Sequence, residues 1–391
     1  MENKNFKRTI VVTSCCAMTT VLGTIHAFSV FVPQWEIIYG ANRASVSLVY
    51  SLALVSLTIA VLFGYRIYNR YSPAVLFVLC GMIAAAGLAL ASRSSSLLEL
   101  TFFYGIVFGS ANGVGYGYAL QLAGQTSPSG KGFAMGLVTA FYAVGATVAP
   151  VVFVALIERG GNYLALLVMA VIVLMVSLVS AALVHLSRAS FMRESVASMA
   201  KPLAVALKQT RLLLWFSYCG AVTAGLMVIG HAFAIALWLN PDSETSSISP
   251  VIVSLGNMLG GFTAGYFSDR LSSRSLLLWF PLLTCVGLLF LVSPLSVFWI
   301  AMLTSLGVIG YCYGALIAVY PVAISDIFGA EAAPRIYGQI FTAWGVAGLA
   351  GPWLSGWLFD QTKSYKLALV IAVGMSLLSF VTVRVAYRDR K

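Results

Sequence analysis

Leu164-Ala165-Leu166-Leu167-Val168-Met169-Ala170-Val171-Ile172-Val173-Leu174 carries no polar side chain, and the apolar stretch around it runs from 162 to 186. The hydrocarbon core of a bilayer is about 30 Å thick, so a helix of about 20 apolar residues crosses it. Comparable stretches recur along the whole chain, at 9–33, 46–65, 74–92, 97–122, 133–157 and 162–186, then at 212–239, 248–267, 276–293, 296–324, 336–358 and 366–385. Short polar joints separate the closest neighbours: Gly124-Gln125-Thr126-Ser127-Pro128-Ser129-Gly130 in the first set and Gly329-Ala330-Glu331-Ala332-Ala333-Pro334 in the second. The expected fold is therefore all-α and integral to the membrane, with twelve transmembrane helices in two pseudo-symmetric six-helix halves. Composition agrees: 60% of the 391 residues are apolar, 9% are charged and mean hydropathy is +0.94, whereas soluble domains carry about 25% charged residues. A water-soluble protein is excluded.

Charge placement orients the chain. With the N-terminus inside, cytoplasmic segments hold 18 of the 23 Lys and Arg, and the outer face keeps Arg43, Arg93, Arg159, Lys363 and Lys366. This is the asymmetry of the positive-inside rule. It predicts a bacterial inner-membrane protein with both termini cytoplasmic and the Asn240–Ser249 loop outside. The formal charge of +11 thus reports topology and contact with anionic headgroups; it is dispersed over short loops, without the patch that nucleic-acid binding needs. The six cysteines fall inside the spans, where they act as small apolar residues and show no metal spacing. Lys7 and Arg8 precede an apolar run too long for a signal peptide, which is read as span 1.

The segment Ser187 to Arg211 is the long polar stretch, and it divides the chain into an N-terminal half (1–186), a cytoplasmic linker (187–211) and a C-terminal half (212–391). Ser195 to Lys208 within it has the composition of an amphipathic surface helix, although Pro202 interrupts the pattern. The halves repeat each other. Ile25-His26-Ala27-Phe28 in span 1 matches Gly230-His231-Ala232-Phe233 in span 7, and Gly115-Tyr116-Gly117-Tyr118 in span 4 matches Gly310-Tyr311-Cys312-Tyr313 in span 10. Spans 5 and 11 superpose Gly136 on Gly338, Tyr142 on Trp344 and Pro150 on Pro352. Two repeats related by an axis along the membrane normal are the plan of a secondary transporter, with its solute site near mid-membrane. Spans 3, 6, 9 and 12 are almost purely aliphatic and should face lipid, whereas the other eight hold nearly all the intramembrane polar groups and should line a wet cavity.

The run Gly265-x-x-x-Asp269-Arg270-x-x-x-Arg274 resembles the loop signature of the major facilitator superfamily, with Ser272 where a later Gly is expected. In the matching first-half loop Asn69-Arg70 stands for Asp-Arg, and Pro73 replaces a basic residue. More narrowly, Gly225-Leu226-Met227-Val228-Ile229-Gly230-His231-Ala232 and Tyr337-Gly338-Gln339-Ile340-Phe341-Thr342-Ala343-Trp344-Gly345 resemble the oxalate/formate antiporter family, kin to the monocarboxylate porters. The resemblance implies the major facilitator fold and a small carboxylate substrate. Oxalate-exchanging members hold the dianion with basic residues in spans 8 and 11, and neither span carries Lys or Arg here; a singly charged acid or a neutral metabolite fits better. The resemblance also implies a gate built from Gly265, Asp269, Arg270 and Arg274, with Asn69 and Arg70 as its first-half counterpart; Asn69 cannot supply the carboxylate of such a lock.

Candidate solute ligands are His26, His231, Asn112, Tyr116, Tyr142, Tyr313, Gln339 and Trp344. An intramembrane ionisable residue is a functional hypothesis in its own right, and the two histidines are the groups that could become cationic to meet a carboxylate. The alternative is that each ring ties one helix to another. Tyr and Trp supply an apolar wall with a placed donor, and they also serve as packing or interfacial anchors. Gly109, Gly113 and Gly117, at every fourth residue, let helices approach closely. Three functions stay open: transport of a small organic anion by symport or exchange, efflux of a larger amphipathic compound such as a drug or siderophore, and a membrane-embedded enzyme or receptor. The last has no nucleotide loop or metal cluster to support it. No cofactor, nucleic-acid partner or enzymatic activity is expected; the expected partners are a small solute, the bilayer, and protons or a counter-transported solute, acting on a monomer.

Overall fold

The computed structural model describes residues 2–41, 43–194, 205–240 and 248–388, and among them the regular structure is helical throughout. Most of the surface helix expected between Ser195 and Lys208, and most of the Asn240–Ser249 loop, lie outside the described residues. The helices are α1 (Glu2–Gly23), α2 (Val32–Tyr39), α3 (Arg43–Tyr68), α4 (Pro73–Ala91), α5 (Leu97–Leu100), α6 (Gly109–Thr126), α7 (Lys131–Leu186), α8 (Val205–Ile229), α9 (Ala232–Leu239), α10 (Ser249–Ser268), α11 (Ser273–Val292), α12 (Trp299–Phe328), α13 (Ala333–Thr362) and α14 (Lys366–Ala386). Among the described residues nine segments are long and apolar enough to cross a membrane. One of these, Pro128–Leu186, holds two spans joined where Gly161 turns with φ of 66°. The more polar α10 and α13, of 20 and 30 residues, complete the twelve.

The chain forms two compact units, residues 1–194 with 330–338, and residues 195–329 with 339–391. In the first, α1 and α4 pack along α7, and α3 packs along α6. Close approach here depends on glycine: a Cβ at Gly109 or Gly113 would run into the backbone of Ala53 or Leu57 on α3. In the second, α10 packs along α12, and α8 along α14. Spans 3, 6, 9 and 12 carry exposed apolar rows, such as Leu79, Met82 and Ile83, or Val171, Met175 and Val179. Such side chains have a hydrocarbon solvent as their natural surroundings.

Local sequence explains the interruptions. Pro73 takes the first position of α4 after Ser72, where a missing N–H costs nothing. This accounts for the basic residue it displaces from the loop signature. Ser272, in place of the expected glycine, is the N-cap of α11 and accepts from the Ser275 N–H at 3.2 Å. Two expected continuous spans are broken. Span 1 leaves the α-helix at Gly23, runs through a 3-10 segment Thr24–Val30, and restarts as α2 with Pro33 in its first turn. Span 7 stops at Ile229 and restarts at Ala232. Span 4 opens with a π-helical stretch, Thr101–Phe108. At the corner between spans 5 and 6, Gln34 of α2 accepts from the Asn162 N–H, and the Asn162 side chain donates to the Phe31 carbonyl at 2.9 Å.

Candidate functional site

Both histidines at matching repeat positions sit at the breaks of their spans, and each unit gathers a polar cluster. In the first unit His26 lies within the 3-10 segment and is half-buried. Its Nδ1 is 2.6 Å from the Tyr50 hydroxyl of α3, and its ring meets Tyr142 of α7 edge-on, centroids 5.5 Å apart. The Tyr142 hydroxyl donates to Asn112 Oδ1 at 3.1 Å, while Asn112 Nδ2 donates to the Leu22 carbonyl at 2.6 Å. Tyr116 packs on Tyr142 at 4.8 Å. His26, Asn112, Tyr116 and Tyr142 are thus brought together. Asn112, with 0% exposure, reaches a carbonyl in the last turn before the break, where helical partners run out.

The second unit treats its histidine differently. His231 Nε2 is 2.9 Å from the Pro352 carbonyl of α13, and Nδ1 is 3.1 Å from the Tyr365 hydroxyl beside α14. A carbonyl only accepts, so Nε2 carries a proton and the neutral ring takes the Tyr365 O–H at Nδ1. Tyr313 and Trp344 pair with each other, Trp344 Nε1 donating to the Tyr313 hydroxyl at 3.0 Å, and Trp344 stacks on Phe341 at 5.3 Å. Gln339 accepts from Arg211 Nη1 at 2.7 Å.

Tyr50 and Arg211 were not among the expected site residues. Tyr50 lies about two turns into α3, which also carries Tyr65 and Tyr68, and no local signal in the sequence sets it apart from them. Arg211 was assigned to the linker, yet it lies inside α8. One helical turn further on, Trp215 Nε1 donates to Thr342 of α13 at 2.8 Å.

The expected gate residues cluster at the α10–α11 turn. Gly265 is buried, Asp269 and Arg270 are exposed, and the Arg270 guanidinium lies 3.6 Å over the Tyr266 ring. Arg274 is half-buried in the first turn of α11, and its neighbour Ser273 donates to Asp326 at 2.6 Å. In the first unit Asn69 Oδ1 accepts from the Glu194 N–H at 3.3 Å, and Arg70 is exposed.

Among the described residues, ten apolar spans and two more polar helices of spanning length, interrupted where polar clusters form, define a multi-pass membrane protein. The sequence model of the Major Facilitator Superfamily matches residues 12–241 and 218–391, and the chain belongs to that superfamily. It is 22% identical over 356 residues to the uncharacterized MFS-type transporter YhjX of Escherichia coli, covering 89% of this chain and 88% of that one. It is 23% identical over 409 residues to monocarboxylate transporter 12 of Xenopus laevis, covering 94% and 86%. The structure of FucP, a major facilitator transporter in its outward conformation, aligns with a TM-score of 0.74 at 16% identity over 97% of this chain and 99% of that one. The fold is the major facilitator fold.

Proposed function

We propose that the protein is a secondary active transporter of a small organic anion, a monocarboxylate, working by alternating access in the inner membrane of a bacterium. In this reading residues 1–186 and 212–391 are the two transport halves, 187–211 is a cytoplasmic linker, and both termini are cytoplasmic. The observation that carries the substrate class is His26, an ionisable group set among Tyr50 and Tyr142 at the break of span 1. Relatives named monocarboxylate transporters support the same class. A carboxylate meeting a protonated imidazole forms a charge-assisted hydrogen bond, and the Tyr50 and Tyr142 rings add apolar walls with hydroxyls at their ends. An arriving anion favours the cationic ring, so proton and monocarboxylate bind together, which suits symport; exchange would use the same pair of groups without net proton movement. Asn112, Tyr116, Tyr313, Gln339 and Trp344 line or brace the solute path, and Gly265, Asp269, Arg270, Arg274, Asn69 and Arg70 serve the gate.

Uptake of labelled monocarboxylates into proteoliposomes, with and without an imposed pH gradient, tests this. Uptake driven by an inward proton gradient, with that response lost in His26→Gln, is the expected result. Uptake with unchanged affinity and pH response in the His26→Gln/His231→Gln double variant would make the histidines structural, and a neutral solute the better reading.

A further inference from the structure

We infer that residues 191–194 form a strap whose Glu194 supplies the carboxylate that Asn69 lacks, fastening the start of α13 to the first unit. Four contacts seat the strap. Phe191 is buried between Tyr68 and Tyr118, at centroid distances of 5.9 and 5.0 Å. The Gln125 side chain pairs with the backbone of Met192, accepting its N–H at 2.7 Å and donating to its carbonyl at 3.2 Å. Asn69 accepts the Glu194 N–H at 3.3 Å. The Glu194 carboxylate then grips Arg335, receiving Nη2 at 2.8 Å and Nε at 2.9 Å.

That fork-to-fork geometry is the strong form of a carboxylate–guanidinium pair, and it is protected: the side chains are 3% exposed for Glu194 and 15% for Arg335. Two further contacts hold the same stretch of chain. Gln125 Nε2 also donates to the Ala330 carbonyl at 3.3 Å, and Gly338 lies so close to α3 that a Cβ would stand 2.6 Å from the Val61 carbonyl. Residues 330–338 belong to the first unit, whereas the rest of α13 belongs to the second. The strap therefore holds the first residues of α13 within the first unit. The first-half loop carries an amide where its second-half counterpart carries Asp269. With an amide, Asn69 positions the strap, and the strap brings the charge.

Hydrogen–deuterium exchange of the full-length protein in nanodiscs tests the assignment. Glu194→Gln leaves the half-buried Arg335 guanidinium unpaired and Arg335→Gln the buried Glu194 carboxylate, and exchange across 330–338 should rise at least about tenfold, with α4 unchanged. Gln125→Ala, a milder change that keeps the ion pair, should raise it about threefold or more through the lost Met192 and Ala330 bonds. Wild-type exchange across 330–338 in all three variants would overturn the strap. So would a rise of equal size in α4, because the contacts would then support the whole unit and not this stretch. Should the charge variants fail to fold, Gln125→Ala alone decides: no local rise in it refutes the assignment.

Discussion

Replacing Asn112 by alanine tests whether the polar cluster of the first unit is built around that side chain. The amide makes two bonds, to the Leu22 carbonyl at 2.6 Å and from the Tyr142 hydroxyl at 3.1 Å, in a site with 0% exposure. Each such bond contributes about 1 kcal/mol in water-soluble proteins and about 0.6 kcal/mol in bilayer-embedded helices. Truncating the side chain also leaves a void of about 25–30 Å³, which at about 24 cal/mol per Å³ adds about 0.6–0.7 kcal/mol. The expected loss is about 2–3 kcal/mol, or about 4–12 °C in melting temperature for a unit of this size. Tyr142→Phe removes the hydroxyl from the shared bond and should cost about 0.6–1 kcal/mol. Because the two changes delete the same contact, the double variant should fall short of additivity by about 0.5–1 kcal/mol. The assay is intrinsic-fluorescence thermal unfolding of the four proteins in one detergent. Strict additivity, or Asn112→Ala melting within about 1 °C of wild type, would refute the reasoning: the amide would then be no anchor for the break after Gly23.

Other expectations follow from single contacts. Gly113→Leu drives a side chain into the Leu57 backbone, which cannot retreat as a flexible side chain would. It should cost more than about 3 kcal/mol, read as loss of monodisperse protein, whereas Gly374→Leu, at a position with open space around it, should be tolerated. Trp344→Phe keeps the stacking on Phe341 but loses the donor to Tyr313; a fall of about 1 kcal/mol by thermal unfolding, absent when Tyr313→Phe is already in place, checks the pair. A cysteine at Ser190, an exposed position of the same segment, should react with an impermeant maleimide from the cytoplasmic face, and labelling from the periplasm would overturn the proposed topology.

Much of the fold was legible because membrane insertion is decided by the length of apolar runs, a property that needs no partner residue. The same criterion hid the breaks. Thr24 to Val30 stays apolar enough to read as a continuation of span 1, and Pro33 and Gly230 were the local signs that the helix restarts. Whether an apolar stretch winds as α, 3-10 or π depends on which donors and acceptors neighbouring helices offer, here Asn112 to Leu22 and Tyr104 to Ile25. Those partners lie tens of residues away in sequence. His26, Asn112, Tyr116 and Tyr142 were legible as candidates because polar side chains stand out in apolar helices, but not as a group apart from His231, Tyr313, Gln339 and Trp344. Glu194 was not: in a linker rich in charge, nothing local separates a solvated acid from one that pairs.

The repeat also predicted a symmetry that the side chains do not keep. His26 and His231 occupy matching sequence positions, both at a break, and yet the first contacts two tyrosines whereas the second bonds a backbone carbonyl and one tyrosine hydroxyl. The carbonyl is the difference. It fixes the tautomer of His231 and ties the break of span 7 to α13, while the Tyr50 hydroxyl on His26 can act as donor or acceptor. The duplicated position keeps a break but not its form, a 3-10 segment Thr24–Val30 in span 1 against a short interruption between Ile229 and Ala232 in span 7. The chemistry at that position then follows from what the neighbouring helices present: a tyrosine hydroxyl and a second tyrosine ring in the first unit, a backbone carbonyl and one tyrosine hydroxyl in the second.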